Sequence, residues 1–198
     1  LHTEPVPGLP PLTSGLVGYL GWDVVRRWEN LPYPPADDVN LPEFALNMVS
    51  DMAIHDNTDG TVLLIANASN FNGTDENVDD AYVDAVERLH RMLQQLEQGA
   101  SETASVLTGV SEVNDRIHRE VTQTWSVQGY QDAIDRCKKN IIDGDVFQIV
   151  ISRRFEVETG ADALDVYRVL RQSNPSPYMY LFNFEDAEGI PFQIVGSS

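Results

Sequence analysis

Among the residue types that can do chemistry, one stands out by its surroundings. Gln148 interrupts the run Val146-Phe-Gln-Ile-Val-Ile151, which reads as a strand buried on both faces. A primary amide there must satisfy two donors and a carbonyl, or it costs about 1–3 kcal/mol for each unmet group. Valine would stand in the same place without that cost. The amide therefore either ties neighbouring strands together or presents its dipole to a ligand, and the pattern alone favours the structural role. Asn174-Pro-Ser-Pro-Tyr-Met-Tyr180 is the second unusual stretch. Two prolines stiffen it, while two tyrosines and a methionine offer soft apolar contact with polar tips. It reads as a rigid helix-to-strand corner or, more sharply, as one wall of a small-molecule pocket.

Other chemistries find no support in spacing. Gly15, Gly18 and Gly21 match neither a dinucleotide fingerprint nor a P-loop, and close backbone packing in a bent strand accounts for them. His2, His55, His90 and His118 show no metal-ligand spacing, and no Gly-x-Ser-x-Gly elbow occurs. The single cysteine, Cys137, excludes an internal disulfide framework and a CxxC metal site. Asn67-Ala-Ser69 and Asn72-Gly-Thr74 match glycosylation acceptors, but without a signal peptide both read as chance.

The elements that must position these residues can be read from periodicity. In residues 1–50, punctuated by proline and glycine, the main apolar segment is Gly15–Asp23. Asp51–His55 and Thr61–Asn67 flank Asn57-Thr-Asp-Gly60, which predicts a hairpin. Val78, Tyr82, Ala85, Val86, Leu89, Leu93 and Leu96 recur at helical spacing, with acids near the positive end and Gly99 as a stop. Residues 99–120 are small, polar and acidic, as suits a linker. Ser126 is placed to cap a helix whose apolar stripe runs from Tyr130 to Ile141 and whose end is Asp143-Gly144. A strand over Val146–Arg154 follows, then a shorter helix capped by Asp162 and broken at Asn174-Pro175. Tyr178–Phe184 and Ile190–Val195 predict two further strands. Strands returning through short turns, with helices between some of them, imply an α+β class with antiparallel β-sheets packed with helices.

The 198 residues carry 13 basic and 31 acidic side chains, a formal charge of −18. Nucleic-acid and anionic-membrane binding need the opposite field. No apolar run approaches the ~20 residues of a membrane helix, and no leader-like segment opens the chain. The expectation is a cytoplasmic protein. A start at Leu1 and an end directly after a strand are what a fragment would show.

Gly144-Asp-Val-Phe-Gln-Ile-Val-Ile-Ser-Arg-Arg-Phe155, Asn174-Pro-Ser-Pro-Tyr-Met-Tyr-Leu-Phe182 and Val195-Gly-Ser-Ser198 together resemble the large subunit of anthranilate synthase. Gly15–Asp23 and the hairpin Asp51–Ala68 are similar to its N-terminal half. The likeness spans nearly the whole chain but only the middle of the family's length, so an internal fragment is expected. It implies a partial chorismate-binding fold. Residues 1–98 would be the later part of an N-terminal regulatory region, 99–120 a linker, and 121–198 the first part of the catalytic domain.

The resemblance further implies a lyase of tryptophan biosynthesis. With Mg²⁺, chorismate is aminated at ring C2 as the C4 hydroxyl departs, and pyruvate is then eliminated to leave anthranilate. Ammonia comes from glutamine through an amidotransferase subunit, and tryptophan inhibits at a remote site. Related isochorismate and salicylate synthases carry a lysine where this chain has Gln148, to activate water. Ammonia needs no such base, so the resemblance assigns Gln148 a catalytic role and reverses the reading from pattern alone. Pro177, Tyr178 and Met179 carry over as tryptophan contacts, with Asn174 and Ser176 as their supports. A Leu-Leu-Glu-Ser segment before Leu1 would complete that pocket. A glutamate expected just after Ser198 would be the general acid, and the Mg²⁺ carboxylates would lie further on. No residue of this chain is assigned as a metal ligand. The alternatives are aminodeoxychorismate synthase, disfavoured by Val150 and by Tyr178-Met-Tyr180, and a non-catalytic scaffold fragment. The 198 residues by themselves are expected to be inactive.

Overall fold

The structure, a computed structural model, describes residues 6–70, 73–99 and 121–198. It divides into two compact units, Leu1–Ala104 with Ser176–Ser198, and Ser105–Pro175.

In the first unit, β1 (Gly15–Leu20) pairs antiparallel with β2 (Phe44–Val49), Gly15 opposite Val49. A short 3₁₀ helix, Trp22–Arg27, follows β1. Glycine is required where the two strands crowd. A Cβ at Gly18 would lie 2.9 Å from the Ala45 carbonyl carbon, and one at Gly21 would lie 2.9 Å from the Glu43 oxygen. This is the close backbone packing that the glycine spacing suggested. The hairpin of β3 (Asp51–His55) and β4 (Val62–Ala66) forms as expected, in the register Asp51 to Ala66. Its turn is held by Asp56, which accepts from the Thr58 N–H at 2.8 Å, and by Gly60 at φ 77°.

Helix α1 (Val78–Glu97) packs on this hairpin with Ala85 buried. Arg88 clasps the two together. Its guanidinium bonds Asp51 at the start of β3, the Asn67 carbonyl at 2.9 Å, and Asp84 one turn back at 2.8 Å. The hydrogen bond with Asp84, above all, raises the Arg88 guanidinium further above its already high ordinary value. The unit is completed by β7 (Met179–Glu185) and β8 (Pro191–Ser197), paired from Met179–Ser197 to Glu185–Pro191. Alternate residues of a strand share a face, and Tyr180, Phe182 and Phe184 form a row of rings 5.1 and 5.5 Å apart. Tyr19 of β1 meets that row edge-on, 5.7 Å from Phe184 and 6.4 Å from Phe192.

The division expected in chain order puts 176–198 with 121–175; the compact units place Ser176–Ser198 with the first. Residues 100–120 of the expected linker lie outside the described residues.

In the second unit, β5 (Val121–Gln123) pairs antiparallel with β6 (Phe155–Val157). Helix α2 (Val127–Asp143) starts where Ser126 Oγ accepts the Gly129 N–H at 3.0 Å, and ends at Gly144, φ 86°. Helix α3 (Ala163–Ser173) starts where Asp162 accepts the Leu164 N–H at 2.7 Å. Every strand pair among the described residues is antiparallel, and helices follow or precede them, so the α+β class holds.

One expected element differs. The strand predicted over Val146–Arg154 is extended chain without a ladder among the described residues, and pairing begins only at its far end. A ladder needs a strand beside it, and a buried face needs an element packed over it. Here the single neighbour, β5, reaches no further than the Thr124 N–H to Arg154 carbonyl bond at 3.1 Å. Phe147 and Val150 consequently stand open, 102% and 85% exposed. Among the described residues only Val24, Ala85, Ala133 and Phe184 are buried hydrophobic side chains.

Candidate functional site

The extended segment after α2 has two distinct faces. Ile149, Ile151 and Arg153 are half-buried, while Gln148, Val150 and Ser152 are exposed, the alternation of a strand with one covered side. The covered side meets α2, where the Tyr130 hydroxyl donates to the Ile151 carbonyl at 3.4 Å. Arg153 pins the end of the segment. Its guanidinium lies over the Phe155 ring at 4.7 Å and the Tyr130 ring at 5.9 Å, and donates to the Gln123 amide oxygen.

Gln148 thus stands on the open face beside Val150, and its amide makes no hydrogen bond among the described residues. The expectation of a buried amide is corrected. Among the described residues no element packs over the face that carries Gln148, and no strand pairs with the segment there. An exposed primary amide costs nothing in desolvation and has all its donors and its carbonyl available to a ligand.

The corner Asn174–Tyr180 forms as a helix-to-strand turn. Asn174 closes α3 with its N–H on the Leu170 carbonyl at 2.8 Å. Ser176 Oγ donates to the Tyr178 carbonyl at 3.0 Å. Tyr178 is then bound twice to the end of β8, its N–H to the Ser198 carbonyl at 3.2 Å and its carbonyl to the Ser198 N–H at 2.8 Å. Its ring remains 77% exposed. Met179 and Ser176 are half-buried, and Pro177 is exposed. Ser176, Pro177, Tyr178 and Met179 are therefore held together in the first unit. Asn174 and Gln148 belong to the second.

Several residues that do positional work carried no sequence signal. Arg88 and Arg153 are among them. The described residues include apolar hollows. One of about 370 Å³ runs along α3 beside Val166, Val169 and Leu170, and one of about 410 Å³ lies among Ala53, Leu64, Met92 and Leu96. Neither is lined by Gln148 or a corner residue.

Among the described residues no group of three or more His, Cys, Asp or Glu is placed to hold a metal ion. The chemistry considered below is therefore argued without a metal step on the described residues. No helix among them is long and apolar enough to cross a membrane.

Comparison with known proteins gives a consistent picture. Residues 2–198 match the family described as chorismate binding enzyme. The chain is 55% identical over 198 residues to anthranilate synthase component 1 of Arthrobacter globiformis, and 49% over 199 residues to that of Mycolicibacterium smegmatis. Each alignment covers all of this chain and 37% of the relative, so the chain spans little more than a third of their length. Among solved structures, anthranilate synthase component I from Streptococcus pneumoniae TIGR4 superposes with a TM-score of 0.68 at 23% identity. That match covers 100% of this chain and 41% of the other, and it speaks for a shared fold.

Proposed function

The chain belongs to the chorismate binding enzyme family, and from that membership we propose that the whole protein is the large subunit of an anthranilate synthase. The observation that carries the reading is the 55% identity to an anthranilate synthase component 1 along all 198 residues. The reaction joins chorismate and ammonia to give anthranilate, pyruvate and water. A separate amidotransferase subunit supplies the ammonia from glutamine, in the cytoplasm. Mg²⁺ and the general acid belong to parts of the protein outside this chain.

In this reading Gln148 faces the substrate. Its neutral amide orients a group by hydrogen bonding and does not deprotonate water, which suits ammonia as the nucleophile. The identity to an anthranilate synthase component 1 along all 198 residues supports the role. Tryptophan, the end product, binds at the corner against Pro177, Tyr178 and Met179, with Asn174 and Ser176 as supports. The exposed Tyr178 ring and the two prolines support that assignment, because a stiff preformed wall loses little entropy on binding. Anthranilate fluorescence, with full-length protein, chorismate, Mg²⁺ and ammonium, tests the proposal. A blue-fluorescent product is expected. Accumulation of aminodeoxychorismate instead would identify the other ammonia-using reaction.

A further inference from the structure

Along 146–153 no strand ladder among the described residues decides which side chains face in and which face out. The phase of the segment must come from its ends. At the near end Gly144 leaves α2 at φ 86°, and the Asp145 N–H returns to the Asn140 carbonyl at 3.0 Å. That cap fixes where the chain departs, but Val146 and Phe147 stand exposed between it and Gln148. The far end is held more closely, and Tyr130 is its centre. The Tyr130 hydroxyl donates to the Ile151 carbonyl at 3.4 Å, and its ring lies 5.9 Å from the Arg153 guanidinium. Trp125 meets the same ring edge-on at 6.3 Å. Arg153 also covers the Phe155 ring at 4.7 Å and donates to the Gln123 amide oxygen. Its Nε is shut off from solvent, without a hydrogen-bond partner among the described residues.

We propose that Arg153 and Tyr130 are positioning residues for Gln148, a clasp that sets the phase of the segment carrying it. The inference rests on the reading above, in which the Gln148 amide orients the nucleophile. Side chains of an extended chain alternate, so residues an odd number apart lie on opposite sides. Gln148 stands three residues before Ile151 and five before Arg153, and holding both of those on the covered side leaves the amide on the open one. A slip of one residue would turn the amide toward α2 and bring Ile149 out in its place. Arginine suits the task because its planar guanidinium can lie on a ring while its edge donates a hydrogen bond. The ammonium of lysine, a point charge on a flexible stem, does not reproduce that. Phenylalanine in place of Tyr130 would keep the ring under Arg153 and give up only the hydroxyl contact.

The test uses the full-length enzyme with Arg153→Lys, Tyr130→Leu, Tyr130→Phe, Gln148→Ala and the double variant Arg153→Lys/Gln148→Ala. Anthranilate formation with ammonium gives kcat and the KM for chorismate, and thermal melting reports the fold. Arg153→Lys and Tyr130→Leu are expected to lower kcat about tenfold or more, with the KM for chorismate within about threefold of wild type. Tyr130→Phe, which keeps the ring, stays within about threefold of wild-type kcat. In the Gln148→Ala background, Arg153→Lys changes kcat by less than about twofold, because a residue that acts through the amide has nothing left to act on. If Tyr130→Leu does not fold, Arg153→Lys, which keeps the charge, carries the comparison. A folded Arg153→Lys with wild-type kcat overturns the proposal. So does an Arg153→Lys loss of the same factor with and without Gln148, which would make the clasp a support for the fold alone. Wild-type activity in Gln148→Ala overturns the underlying reading of the amide, and that result is visible before the double variant is made.

Discussion

Replacing Tyr178 by alanine removes the most exposed ring of the corner while leaving its backbone ties to Ser198 in place. The ring is 77% exposed. An aromatic side chain offers about 200 Å², so about 150 Å² is open, and an indole stacked on one face covers about half of that. At ~25 cal/mol per Å² the lost contact is worth about 2 kcal/mol, or about twenty- to thirtyfold in the tryptophan inhibition constant. Chorismate is a polar dicarboxylate and gains little from such contact, so its Michaelis constant should change less. Full-length wild type and Tyr178→Ala would be compared by tryptophan dose–response at fixed chorismate and by chorismate saturation without tryptophan. An inhibition constant that holds steady while the Michaelis constant collapses would refute the reasoning. The corner would then belong to the active site.

Gln148→Ala in the full-length enzyme should lower turnover with ammonium at least about tenfold with the fold intact, the scale of one lost orienting group; activity within about twofold of wild type would make the amide dispensable. Arg88→Ala leaves the half-buried Asp51 carboxylate and the Asn67 carbonyl without their partner. A charged hydrogen bond contributes about 1.5–3 kcal/mol and the exposed Asp84 pair about 0.3–0.5, so a loss of about 2–3 kcal/mol is expected in urea denaturation. A change below about 0.5 kcal/mol would show that the clasp is not stabilising. In the β3–β4 turn, the Thr58 N–H chiefly holds the Asp56 carboxyl below the usual carboxylate range, and the Thr61 hydroxyl chiefly does so for Asp59. Both groups titrate lower folded than unfolded, so the turn keeps their full contribution above the unfolded value of about 3.9 and loses it as pH falls through the lowered folded values. Carboxyl chemical shifts with midpoints at or above the ordinary value would contradict this.

Local signals carried most of the elements. Ser126 and Asp162 cap α2 and α3 as their sequence contexts require, and Gly60 and Gly144 take the positive φ that their turns need. These features are fixed by neighbours a few residues away. The segment Val146–Arg154 was misread because its apolar run reports a preference for burial, whereas a ladder depends on strands distant in sequence. The grouping of 176–198 with the first unit is likewise non-local. Tyr19 meets Phe184 and Phe192, more than 160 residues away in each case, and no periodicity reports that. At the candidate site, the prolines made the corner legible, and the misfit amide made Gln148 visible. The return of Tyr178 onto Ser198 required the strand register.

The proposed reaction differs in stoichiometry from the other ammonia-using reaction. Anthranilate formation releases the enolpyruvyl side chain as pyruvate, whereas amination to aminodeoxychorismate retains it. Full-length protein supplied with chorismate, Mg²⁺ and ammonium should therefore produce pyruvate and anthranilate in equal amounts, with lactate dehydrogenase reporting the first and fluorescence the second. An aminated product formed without pyruvate would contradict the account.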